Sequence, residues 1–253
     1  MGRGEFGLTG RSMPQAETKS ADEAAPGGRP ARAAAAALGS RADEARQREV
    51  KLLRRVQERC QAVLAEACRY SSVPPAFLAA LVANESGGDA NAKRFEPAAY
   101  HHLKSLAAGK RPTYCGHDRA SLEGEIAEML HPKSAMFHGP FLNALVERHA
   151  RDLTARQDEV LRELATSWGY TQIMGYHLVG RPGTVLDLVE PRFHFRFALE
   201  LLADFGERYQ LDVRREFAEL FRCWNTGQPY GATFDPAYVE KGLRRMAMYR
   251  LIA

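Results

Sequence analysis

Apolar residues recur at steps of three and four over most of the chain, which is the spacing of one face of a helix. Val50, Leu53, Val56, Cys60, Val63 and Leu64 follow it and predict a helix over about 43–69. Phe77, Leu78, Leu81 and Val82 make a second stripe within Ser72–Asp89, with Ser72 placed to cap the first turn. Pro74 and Pro75 suit a first turn, whose amides have no helical partner, and Gly87 and Gly88 close the helix. Ser121 is placed to cap a helix carrying Leu122, Ile126, Met129 and Leu130. Gly139-Pro140 breaks the chain before another helical stretch that ends at Leu161, Leu164 and Trp168. Phe193, Phe197, Leu201, Leu202 and Phe205 form the strongest stripe, on a helix opened by Pro191, and predict the buried central helix. Asp212 then caps a helix with Phe217, Leu220, Phe221 and Trp224 on its inner side. Asp235-Pro236 starts a last one through Tyr238, Val239, Leu243 and Met246.

Alternation at period two is absent over any convincing length. The pattern predicts an all-α fold, or α with a minor β-hairpin, the hairpin lying between Tyr100 and Cys115 or around Tyr170. Residues 1–42 are rich in Ala, Gly, Arg, Ser and Pro, and they read as a disordered tail or linker ahead of one domain at 43–253. The opening Met-Gly-Arg-Gly-Glu-Phe resembles an expression scar, and Ala33–Ala37 is too short and too weakly apolar for a signal-peptide core. No apolar run approaches the roughly 20 residues of a membrane span.

Charge and cysteine content narrow the partners without choosing one. A net charge of +4 suits a partner bearing carboxylates or phosphates: bacterial cell wall, nucleic acid or anionic lipid. Arg54-Arg55, Arg214-Arg215 and Arg244-Arg245 would be the phosphate contacts of a nucleic-acid binder. Each pair is interleaved with acids, so solvated helix faces explain them more simply. Cys60, Cys68, Cys115 and Cys223 contain no CxxC pair. Eight residues of helix put Cys60 and Cys68 about 12 Å apart, too far to bridge. Bridges to Cys115 or Cys223 and buried free thiols both stay open. His101, His102, Cys115, His117, His131 and His138 crowd 98–159, but no pair has the i, i+4 spacing of a helical zinc site, so no metal is expected.

The candidate chemistry starts at Glu85, which falls on the apolar stripe four residues after Leu81. Burial there would raise its pKa, and the negative end of the helix dipole at the glycines pushes the same way. A carboxyl kept protonated near neutral pH is what a general acid needs. A lone helix-end glutamate turned to solvent is the plain alternative, which two later segments weigh against. These are Ser167-Trp168-Gly169-Tyr170-Thr171-Gln172-Ile173-Met174-Gly175, and Trp224-Asn225-Thr226-Gly227 followed by Tyr238.

With Asn84-Glu85-Ser86-Gly87-Gly88 these segments, in order and spacing, resemble the lysozyme-like lytic transglycosylases and goose-type lysozymes. The Ser-Trp-Gly-x-x-Gln-Ile-Met-Gly form, with Phe95-Glu96 shortly after the helix that carries Glu85, is nearer to phage-type N-acetylmuramidases. The resemblance covers about 45–97 and 160–250 and leaves 98–159 as an insertion. It implies cleavage of peptidoglycan glycan strands between N-acetylmuramic acid and N-acetylglucosamine, without a cofactor, by a monomer in the periplasm or outside the cell. By the same resemblance Glu85 is the general acid/base. Gln172 and Asn225 bond the sugar amide and hydroxyl groups, and Tyr238 stands close to Glu85. Tyr170 and Met174 pack on sugar faces, and Ser86 holds the Glu85 helix end against the cleft wall. Tyr170, Trp224 and Thr226 depart from the usual Leu or Phe, Tyr and Ala but keep bulk, and Pro97 replaces the Arg expected after Phe-Glu.

A hydrolase needs a second carboxylate, roughly 6.5–9.5 Å away if inverting and about 5 Å away if retaining. Glu96 and Asp89 are the candidates. Each has a plain alternative: Glu96 can pair with an arginine, and Asp89 can bond its own turn. Lytic transglycosylases, by family, need neither, because the muramic acid 6-hydroxyl attacks its own anomeric carbon. That reading is preferred here, ahead of the hydrolase and of a wall-binding module without activity.

Overall fold

The computed structural model describes residues 28–131 and 153–253, so Gly139-Pro140, His138 and the opening Met-Gly-Arg-Gly-Glu-Phe lie outside the described residues. The protein is mostly helical with a minor β component. Contacts divide the chain into two units, Met1–Ala45 and Arg46–Ala253. Helix α1 (Gly28–Cys68) begins earlier than the periodicity places it, inside the stretch read as tail. Ala33–Ala37 is a run of the residue with the highest intrinsic helix propensity, a signal that a reading based on burial overlooks.

Helix α2 (Pro75–Glu85) is buried along its length, with every residue from Ala76 to Ala83 enclosed. It therefore has no stripe; alanines occupy the positions where a surface helix carries polar groups, and their small size lets neighbours close in. Full burial of Phe77, Leu78, Leu81 and Val82 contributes about 1.5–3 kcal/mol each. Pro74 precedes the helix without a side-chain cap, and Ser72 accepts from Arg214 Nε at 3.3 Å instead of capping. Gly87, at φ 63°, turns the chain out of the helix.

Strand β1 (Lys93–Phe95) and helix α3 (Pro97–Ala107) follow, then a hairpin of β2 (Thr113–Tyr114) and β3 (His117–Asp118). Helix α4 (Arg119–Met129) is capped by Asp118, with Ser121 as the reciprocal partner of a capping box, so Ser121 lies inside the helix rather than before it. Helix α5 (Leu153–Leu164) leads into β4 (Thr166–Trp168) and β5 (Ile173–Met174), the hairpin expected around Tyr170. Strand β1 joins β4 antiparallel, Arg94 opposite Ser167, to give the order β1-β4-β5. A single 3-10 turn at Gly175–Leu178 and another at Asp187–Val189 connect to helix α6 (Pro191–Tyr209). Helix α7 (Phe217–Thr226) starts five residues after Asp212, whose carboxylate instead bonds the Arg214 amide and Arg215. Helix α8 (Tyr238–Ile252) closes the chain; its Leu243 is exposed, not inward.

Two apolar cores result. One gathers α2, the packed half of α1, α7 and α8, and the other gathers α3, α4, α5 and the sheet. Helix α6 serves both, sending Phe195, Leu202 and Phe205 into the first and Phe197, Ala198 and Leu201 into the second. The element enclosed on all sides is therefore α2, and α6 is the wall between cores. The described part of 98–159 is no appendage: Leu103, Leu106 and Leu122 are fully buried in the second core.

Candidate active site

Glu85 is the last residue of α2, and Tyr238 is the first of α8; the Tyr238 hydroxyl donates to Glu85 Oε1. Two further contacts hold that helix end to α8. Asn84 Nδ2 donates to the Tyr238 carbonyl at 3.2 Å, and Arg245 Nη1 donates to the Ala83 carbonyl at 3.0 Å and to Asn84 Oδ1 at 2.8 Å. Arg245 also pairs with Glu49 of α1 at 2.7 Å, so this guanidinium pins three helices. Arg215 and Arg244 pair with Asp212 and Glu240. Burial raises the Glu85 pKa, against a smaller lowering by the Tyr238 hydroxyl and the Arg94 charge.

Ser86 faces the other way. Its hydroxyl donates to the Tyr170 carbonyl at 2.7 Å and accepts from the Gly88 and Asp89 amides, so it ties the helix end to the loop between β4 and β5. In that loop Tyr170 is buried and stacks on Phe195 at 5.0 Å between ring centroids, so it is a core residue rather than a sugar-stacking one. Thr171 is buried against His194. The Thr171 amide must donate to His194 Nε2, which leaves Nδ1–H to donate to the Leu188 carbonyl at 2.7 Å. Burial holds this imidazole neutral, its pKa brought down to about 4. The loop has no room for a side chain at Gly169, at φ 71°, where a Cβ would stand 2.4 Å from the Leu188 carbonyl.

Gln172 takes the left-handed conformation, φ 55°, uncommon for a residue with a Cβ. Its amide is engaged by the protein: Nε2 donates to the Ala92 and Gly169 carbonyls, both at 3.0 Å, and Oε1 accepts from Ser167 at 2.8 Å. Both amide hydrogens are used, so only the second lone pair of Oε1 is left for a ligand. Trp224 Nε1 of α7 donates to the Thr171 carbonyl at 2.8 Å, bringing the third sequence segment onto the same loop.

Beside this junction lies a cavity of about 730 Å³. Gln172, Met174, Trp224 and Asn225 line one part of it; Tyr114, Cys115, His117, Tyr176, His177 and Arg181 line another. Glu85, Ser86, Tyr170 and Tyr238 lie off its wall, joined to it through the 169–172 loop. Asn225 is exposed at the end of α7. The second set was unreadable as a site in sequence because it gathers the β2–β3 hairpin and the segment after β5, some sixty residues apart. Only the histidine crowding pointed there.

Neither proposed second carboxylate stands free. Glu96 precedes α3 and pairs with Arg94 at 2.5 Å, and Asp89 is an exposed turn residue whose Oδ1 accepts the Asn91 amide at 2.9 Å. Glu163, which sequence reasoning passed over, has its pKa raised by burial to about 7, with Lys93 opposing the rise, but it also lies off the cavity. The thiols of Cys60, Cys68 and Cys223 are free and buried, and Cys115 is free and exposed. Among the described residues no group of His, Cys, Asp and Glu is placed to hold a metal ion, and no helix is long and apolar enough to cross a membrane. No known protein family, curated protein or solved structure matches the chain.

Proposed function

We propose that this chain is a peptidoglycan-cleaving glycosidase of the lysozyme-like kind. It would act on the bond between N-acetylmuramic acid and N-acetylglucosamine in glycan strands, as a lytic transglycosylase in the periplasm or outside the cell. The observation that carries the reading is convergence. Three segments far apart in sequence meet at one place, through Glu85 to Tyr238, Ser86 to Tyr170 and Trp224 to Thr171, next to a cavity of ligand size.

A half-buried carboxyl with a raised pKa suits both halves of the reaction. As acid, Glu85 gives its proton to the glycosidic oxygen as the bond from that oxygen to the muramic acid anomeric carbon breaks. As base, the resulting carboxylate takes the proton of the muramic acid 6-hydroxyl as that oxygen bonds to the same carbon. The proton count closes on Glu85, no water is consumed and the new end is a 1,6-anhydro sugar. The ties of Glu96 to Arg94 and of Asp89 to its turn favour this route over hydrolysis, which would need one of them to activate water or act as nucleophile. In this reading Asn225, Met174 and the spare lone pair of Gln172 contact sugar, while Ser86, Tyr170 and Trp224 position the loop.

Clearing of purified cell wall tests the activity. The Glu85→Gln variant should lose on the order of 10³-fold while folding normally. A variant that still clears the wall sinks the acid/base assignment. Mass spectra of the released fragments separate the chemistries, since an anhydro end weighs one water less than a reducing end.

A further inference from the structure

One part of the cavity is cationic, and its walls come from the β2–β3 hairpin, the segment after β5 and α6. His117 stands at the start of β3, His177 in the turn after β5, and Arg181 just beyond it, with Arg208 on α6. Asp204 is the carboxylate in this wall, and it is committed to Arg181 at 2.5 Å. Arg208 has no ion-pair partner among the described residues. Both imidazoles are held neutral. His177 is brought down to about 3, first by burial, then by the charges of His117, Arg181 and Arg208, with Asp204 opposing. His117 is lowered by burial and by Arg181, against Asp118 and a backbone bond to Tyr176. The Tyr114 and Tyr176 hydroxyls beside them have pKa values raised by burial, so they remain neutral donors.

We propose that this end of the cavity is a carboxylate-binding subsite: Arg208 supplies the charge, and His117 and His177 supply hydrogen bonds to a carboxylate carried by the muramic acid residue. The inference rests on the glycan reading above for the identity of the ligand, while the cationic wall stands without it. Two sources have the required chemistry, the lactyl carboxylate of a strand stripped of peptide and a carboxylate of the attached peptide stem. An arriving carboxylate offsets the guanidinium charges that add to burial in holding the imidazoles neutral. Their pKa values therefore rise on binding, the complex takes up protons, and affinity increases as pH falls.

The test uses the full-length Glu85→Gln chain, so that no ligand is turned over. Three probes are titrated: neutral chitotriose, N-acetylmuramic acid and N-acetylmuramyl dipeptide, with imidazole resonances followed by NMR. At least one carboxylate probe should bind roughly tenfold more tightly than its methyl ester, the increment of one charge-assisted hydrogen bond. The His117 and His177 titrations should move to higher pH, and Arg208→Gln should remove the preference. Preference for N-acetylmuramic acid assigns the lactyl source, and preference for the dipeptide alone assigns the stem. Equal binding of acid and ester, or unmoved imidazole titrations, overturns the subsite. If the carboxylate probes behave as described but the wild-type chain clears no wall and binds no chitotriose, the glycan reading has failed and the subsite has not.

Discussion

At the residue scale, the chemistry turns on the environment of one carboxyl. Sequence spacing placed Glu85 beside Leu81 and Val82, and desolvation of that position is the first cause of its raised pKa. The same spacing could not show that the Tyr238 hydroxyl, 153 residues away, donates to it and lowers its pKa in part. Replacing Tyr238 by Phe removes the group that favours the carboxylate. The Glu85 pKa then rises further, so the alkaline limb of the pH–activity profile moves to higher pH, with kcat/KM reduced roughly tenfold. A limb that stays put or moves down refutes the coupling. Gln172 and Tyr170 show where motif matching misleads. A residue type that a family uses against sugar is here spent on the protein's own backbone in one case and on a Phe195 stack in the other. The choice is made by which way each side chain leaves a four-residue turn, and neighbours in space decide that.

Among the elements, α2 and α8 carry the site between them, and α8 packs on α7 at a small residue. A Cβ at Gly242 would stand 2.7 Å from the Phe221 ring, inside the first core. Gly242→Ala should destabilise the fold by about 1–3 kcal/mol and lower Tm, read by calorimetry. An unchanged Tm would mean that the Phe221 ring gives way freely. Ser86→Ala removes the bond from the α2 end to the Tyr170 carbonyl and should cost about 1 kcal/mol in a denaturant titration. Element existence was legible for α1, α4, α6, α7 and α8 because each carries a helical apolar period, and for α2 because prolines and glycines mark its ends. Caps were less so. Ser72, Ser121 and Asp212 each have a side chain able to cap, yet one bonds an arginine, one sits inside its helix and one bonds a turn. Competing partners for the same oxygen settle the matter, and several of them come from other elements.

Across the whole molecule, α6 is tied to the 169–172 loop and to the turn at 187–189 by His194, which is fully buried and neutral. Its folded pKa of about 4 lies below the ordinary 6.5, so the unfolded chain binds the proton more readily. This contribution to stability is complete above pH 6.5 and is lost as pH falls toward 4, up to about 3 kcal/mol by linkage. Unfolding midpoints measured from pH 7 to pH 4 should fall more steeply for the wild type than for His194→Gln. Parallel curves would assign the acid sensitivity elsewhere. The sequence alone determined that the protein is helical, where most helices run, and that Glu85 sits on an apolar run, because period and burial cost are properties of neighbours along the chain. Tertiary structure alone decided that α2, not α6, is enclosed on every side. It also decided that a hairpin at 113–118 and a turn at 175–178 wall one cavity with α6 and α7. Those outcomes depend on contacts between residues tens to more than a hundred positions apart, and no periodicity encodes such contacts.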